Sequence, residues 1–128
     1  MYKWGKTSKD RLATCDKRLQ EMANMMLARS EFDLTITCGH RTEKEQNEAF
    51  EKGTSRAKFG QSKHNTFPSK AIDICPYPIN WDVKDVRWKE MALNAMWCAG
   101  KLGFEIVWGG SFKKFFDMPH FEIKEERK

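Results

Sequence analysis

Apolar residues recur at three- and four-residue steps from about Ser8 to Arg29, through Leu12, Cys15, Leu19, Met22, Ala23 and Met26. This spacing predicts one amphipathic helix with a single buried face. Phe32 to Cys38 carries the β-branched run Thr35-Ile36-Thr37 and reads as a strand. Thr42 and Glu45 form a capping-box pattern that opens a second helix, and Gly53 is placed to end it. From Thr54 to Lys70 periodicity disappears and Gly, Ser, Asn, Lys and Pro dominate. A structureless stretch of that length inside a small domain points to a functional surface loop. Ala71 to Cys75 reads as a short apolar strand ended by Pro76 and Pro78. Asp82 and Asp85 open a third helix, with Trp88, Met91, Ala92, Ala95, Met96, Ala99 and Leu102 on its inner face and Gly103 at its end. Phe104 to Trp108 and His120 to Ile123 read as strands, separated by a Gly-Gly turn and a Lys/Phe-rich loop. The elements do not alternate as in parallel α/β folds. The expectation is α+β, a small antiparallel sheet packed against about three helices.

The chain has 128 residues, which fits one domain, residues 1–128. Its nine Phe, five Trp and seven Met suffice for one core without disulfide staples. The net charge of +5 favours an anionic surface nearby. The basic residues are scattered, with no arginine-rich arm or nucleic-acid motif, so no nucleic-acid partner is expected. Cys15, Cys38, Cys75 and Cys98 form no CxxC pair and sit among apolar neighbours, which reads as buried free thiols. The opening Met1 to Lys6 is not a signal peptide, and no segment approaches a membrane span.

The candidate chemistry lies in the few histidines. His64 stands in the long loop. Asp73 interrupts an apolar strand between Ile72 and Ile74, where a carboxylate is costly unless paired or bound to a metal. His120 opens the last strand, three residues after Asp117. Two imidazoles and one carboxylate make a ligand set for catalytic zinc, whose fourth position stays open for water. Bound zinc lowers the pKa of that water to about 7, and a carboxylate outside the ligand set, for which Asp117 is the candidate, must then carry the proton. By spacing alone, histidines satisfied within the core or at the surface are the commoner reading.

Ser62-x-His64, Ala71-Ile72-Asp73 and Asp117-x-x-His120-Phe121-Glu122, in that order, resemble the zinc D,D-carboxypeptidase and L-alanyl-D-glutamate endopeptidase group. That group includes phage endolysins and, more distantly, the hedgehog domain. Gly39-His40-Arg41-Thr42 with Gln46, and Trp108-Gly109-Gly110, extend the likeness over about residues 30 to 123. The resemblance implies a hedgehog-like fold and a Zn2+ ion on His64, Asp73 and His120. It implies Asp117 as general base and acid, and Arg41 steadying the substrate carbonyl oxygen. Ser62 is expected either to bind substrate or to stabilise its loop. It further implies bacterial peptidoglycan as substrate, a monomer, and residence in the host cytoplasm until release to the wall. The bond could be L-alanyl-D-glutamate or D-alanyl-D-alanine; a non-catalytic zinc-containing wall-binding domain is the alternative. Two departures stand out. Many members carry Glu in place of Asp117, and the stretch from His64 to Asp73 is longer than the compact motif by an insert containing Phe67-Pro68. His40 occupies a position that carries no ligand in the group. Ser111-x-x-Lys114 matches the serine D,D-peptidase pattern, but its partner motifs are absent.

Overall fold

In a computed structural model the structure describes residues 1–112 and 116–125. Lys113 and Lys114, and with them the end of the Ser-x-x-Lys pattern, lie outside the described residues, as does the end of the Lys124–Lys128 tail. The first predicted helix is two helices, α1 (Lys6–Leu12) and α2 (Lys17–Arg29). The break falls at Thr14, Cys15 and Asp16. Cys15 bridges to Ser69, while Thr14 O accepts from Ser69 N and Ser69 O accepts from Asp16 N, each at 2.8 Å. The Asp16 side chain then caps α2 by accepting from Arg18 N. The apolar periodicity continues across the break because both helices lean on the same core, which hides the interruption from a pattern reading.

Strand β1 (Asp33–Cys38) leads to α3 (Glu43–Glu51), which opens on the predicted Thr42/Glu45 capping box. Beyond α3 the chain crosses the long loop, with a single 3-10 turn at Lys63–Asn65, and enters β2 (Ala71–Tyr77). The strand continues through Pro76 instead of ending there. Ile74 N donates to Pro119 O, so the nitrogen two residues on faces the same side, beyond the end of the neighbouring strand's pairing. Proline therefore withdraws no ladder bond. Helix α4 (Arg87–Leu102) starts later than the aspartates indicated. Asp85 receives Arg87 N, whereas Asp82 closes a separate turn onto Lys84 N. On α4, Cys98 is buried as expected, whereas Met96, placed on the inner face by its spacing, is 43% exposed. The final strands are β3 (Ile106–Trp108), shorter than predicted, and β4 (His120–Ile123).

The four strands form one antiparallel sheet in the order β1-β2-β4-β3. Side chains alternate across a strand. Ile72 and Ile74 of β2, with Phe121 and Ile123 of β4, face the core and are at most 1% exposed. Asp73 of β2 and His120 and Glu122 of β4 therefore face the other way. Asp73 and His120 are direct cross-strand partners. A break in the β1–β2 register between Ile36 and Cys38 sets Cys38 opposite Asp73. An extra residue of this kind inverts the alternation beyond it. Cys38 consequently leaves the core face and joins Asp73. The other cysteines are buried thiols, and Cys38 is the exception.

Candidate metal centre and its surroundings

The structure brings His64, Asp73 and His120 together. His64 Nε2 lies 3.1 Å from Asp73 Oδ1 and 3.2 Å from His120 Nδ1, and His120 Nδ1 lies 3.2 Å from the same Asp73 oxygen. All three residues are buried. Each imidazole uses its remaining nitrogen elsewhere. His64 Nδ1 donates to Gly39 O at 2.7 Å, and His120 Nε2 donates to Glu122 Oε1 at 2.8 Å. These partners fix the ring orientation, so that the converging nitrogens become electron-pair donors once they lose their protons, as metal-ligating histidines require. Glu122 is in turn 3.4 Å from Lys63 Nζ.

Two glycines make the geometry possible. A Cβ on Gly39 would collide with Arg11 O and Thr14 Oγ1, so the break between α1 and α2 encloses the carbonyl that orients His64. A Cβ on Gly109 would strike Asp117 O and His120 Cβ. Asp117 N donates to Gly109 O at 3.0 Å and His120 N to Asp117 O at 3.0 Å, so this turn sets Asp117 beside the ligand strand.

The electrostatics follow from burial against pairing. Burial disfavours the imidazolium of His64, but the charge and hydrogen bond of Asp73, with help from Cys38, more than offset it and raise its pKa to about 10. His120 rises to about 9 against the same burial cost, through hydrogen bonds to Asp73 and Glu122. Burial pushes the Asp73 carboxyl up, yet the two histidines together hold it well below the usual carboxylate range. Asp117 moves the other way: burial and the nearby Asp73 charge raise its pKa. Its Oδ2 is 3.8 Å from His120 Nδ1, adjacent to the triangle of donors but outside it.

In the metal-free protein, then, both histidines bind protons more tightly than an ordinary imidazole near 6.5. Their protonated forms favour the fold in full below that value, and the contribution is lost as pH rises through about 9 to 10. A metal must displace these protons. Apparent metal affinity should therefore weaken by about tenfold or more for each unit of pH between 8 and 6. Calorimetric titration in buffers of different ionisation enthalpy reads this directly, and less than one proton released per metal at pH 7 would contradict it.

Arg41 stands next to the triangle. Its Nη1 donates to Gln46 Oε1 at 2.9 Å and its Nη2 to Cys38 Sγ at 3.6 Å, with Asp73 Oδ2 at 4.0 Å. Ser62 caps the 3-10 turn by accepting from His64 N, and it also lines the cleft. That cleft measures about 480 Å³ and has Arg41, Ser62, His64, Asp73, Asp117 and His120 in its wall. His40 is not part of it; its ring packs edge-on against Phe67. Cys38, His64 and Asp73 form a second overlapping donor group, as do Asp73, Asp117 and His120. The sequence reading missed Cys38, whose orientation depends on the β1 irregularity. It also left Glu122 without a role, although a carboxylate two residues after a strand histidine shares its face.

Comparisons with known proteins bear on the family of the chain. The family model for phage L-alanyl-D-glutamate peptidase matches residues 1–125. The L-alanyl-D-glutamate peptidase of Escherichia phage T5 is 36% identical, over 96% of this chain and 90% of the relative. The peptidoglycan L-alanyl-D-glutamate endopeptidase CwlK of Bacillus subtilis is 35% identical over 71% of this chain, which spans 60% of that longer relative. The crystal structure of the Serratia marcescens L-Ala D-Glu endopeptidase ChiX shares the fold, with a TM-score of 0.81 at 22% identity, over 97% of this chain and 90% of that one. A match over nearly the whole length gives the chain its place: it belongs to the phage L-alanyl-D-glutamate peptidase family.

Proposed function

We propose that the chain is a zinc-dependent endopeptidase that hydrolyses the L-alanyl-D-glutamate bond of bacterial peptidoglycan. The observation that carries this reading is the triangle of His64, Asp73 and His120 donors, with edges of 3.1 to 3.2 Å. Zinc bonds of about 2.0–2.1 Å at the tetrahedral angle separate neighbouring donors by roughly 3.3 Å, which supports zinc as the occupant. Zinc held there supplies Lewis acidity toward a carbonyl oxygen and a water acidic enough to attack near neutral pH. Asp117, with its raised pKa, takes the proton from the attacking water and returns it to the leaving amine. Arg41, held by Gln46, offers guanidinium charge to the carbonyl oxygen as it becomes negative. Glu122 keeps His120 in the tautomer that points Nδ1 inward. Ser62 shapes the turn that presents His64.

A non-catalytic wall binder would need neither a proton carrier nor a guanidinium beside the donors, and this chain has both within about 4 Å of them. The names of the phage T5 and B. subtilis relatives favour L-alanyl-D-glutamate over D-alanyl-D-alanine as the bond. No helix among the described residues is long and apolar enough to cross a membrane. The test is digestion of purified peptidoglycan with and without a chelator, followed by mass analysis of the fragments. New N-terminal D-glutamyl peptides that vanish with chelation and return with zinc are expected. Fragments ending elsewhere in the stem, or chelator-resistant cleavage, would overturn the assignment.

A further inference from the structure

Gln46, on α3, is 0% exposed and lies behind Arg41. Its Oε1 accepts from Arg41 Nη1 at 2.9 Å and from Asn65 Nδ2 at 3.2 Å. Its Nε2 donates to Ser55 Oγ at 2.9 Å and to Ala57 O at 2.7 Å. A primary amide offers two acceptor sites and two N–H groups, and all four are used. The amide cannot be reversed, because a guanidinium only donates and a backbone carbonyl only accepts. One buried side chain thus ties three separate pieces together. Arg41 follows β1. Asn65 ends the 3-10 turn that carries His64, and it also receives Gly60 N and Ser62 N on its Oδ1. Ser55 and Ala57 belong to the segment that forms the facing wall of the cleft. Thr54 N, Thr54 Oγ1 and Ser55 N also bond to Ala49 O, and Ala57 N donates to Ser55 Oγ, so the Gln46 amide meets a short, hydrogen-bonded turn.

We propose that Gln46 is a positioning residue: through its four hydrogen bonds it holds the Arg41 guanidinium and the 54–57 wall of the cleft in one fixed register across the substrate. The kinetic part of this inference rests on the peptidase reading above. The structural part does not. No hydrogen bond joins Gln46 to His64, Asp73 or His120, and His64 has its own anchors in Gly39 O and Ser62, so the donor triangle is expected to survive its loss.

Two substitutions separate the two arms of the tie. Gln46→Glu keeps an acceptor for Arg41 and Asn65, and the Ser55 hydroxyl can turn to donate to it. The Ala57 carbonyl, however, then faces an anion. Gln46→Met removes every bond at similar volume. Amide hydrogen exchange across residues 54–57 should accelerate by about tenfold in both variants, while zinc content stays at the wild-type level. With peptidoglycan as substrate, Gln46→Glu should raise KM by about fivefold with kcat nearly kept. Gln46→Met should also lower kcat by about tenfold or more, as expected when a charged group is displaced from the reacting oxygen. Wild-type exchange in both variants overturns the tie to the wall. An unchanged kcat in a folded, zinc-loaded Gln46→Met variant overturns the tie to Arg41. If the wild-type chain itself cleaves nothing, the functional reading has failed, and the exchange data alone decide whether Gln46 holds the wall.

Discussion

Replacing Asp117 with alanine should lower the rate of peptidoglycan cleavage by about a thousandfold, the middle of the range for loss of a general acid–base group, while zinc stays bound. The two halves of this expectation have separate grounds. Asp117 lies beside the His64, Asp73 and His120 donors, its nearest oxygen 3.8 Å from His120 Nδ1 and so outside the triangle of 3.1 to 3.2 Å edges. The turn that carries it is held by backbone atoms, through Gly109 O, Asp117 N, Asp117 O and His120 N. Removing the carboxylate therefore leaves the backbone turn and the donor triangle in place. The side chain is 34% exposed, open enough to meet a substrate, while burial and Asp73 raise its proton affinity. Cleavage rates on purified walls, with elemental analysis of the same preparation, check both halves. Normal turnover by a zinc-loaded Asp117→Ala variant removes Asp117 from the chemistry.

Replacing His120 with alanine should abolish metal binding and hydrolysis together. This substitution removes one corner of the triangle and also leaves the Glu122 carboxylate without the imidazole that now occupies it. Two donors remain, fewer than catalytic zinc sites use. The clearest readout is thermal. A ligand present at a thousand times its dissociation constant stabilises the folded state by about 4 kcal/mol. Added zinc should raise the melting temperature of the wild-type chain and leave that of His120→Ala unmoved. A variant that still takes up one equivalent of zinc would show that the donors are others, with Cys38, His64 and Asp73 as the next set to test.

Most of the architecture was legible in the sequence because local signals and tertiary packing agreed. The Thr42/Glu45 box caps α3 as its residues indicate, and Gly103 closes α4 at φ 88°. Asp73 could be singled out because a carboxylate between two core isoleucines demands a partner. The failures share one cause: contacts distant in sequence overrode local pattern. The break between α1 and α2 depends on Ser69, more than fifty residues away. Cys38 looked like a core residue because Ile36 is one, and only the register shift against β2 turns it toward Asp73. Gln46 gave no hint of complete burial, since its partners come from three loops. Met96 falls outside the buried face because the apolar arc of α4 is wider than the strip that α2 and the sheet cover.

The insert that lengthens the span from His64 to Asp73 is harmless for a definite reason. Lys70 N bonds back to Lys63 O, and Ser69 is clasped by Thr14 and Asp16, so residues 64–69 form a closed excursion whose two ends are already fastened. Phe67 at its tip is 72% exposed. Residues added at this tip are expected to leave His64 and Asp73 in place, whereas a one-residue slip of β4 against β2 would turn His120 to the opposite face of the sheet. An engineer fusing a wall-targeting peptide to the chain would accordingly choose the exposed Phe67 tip.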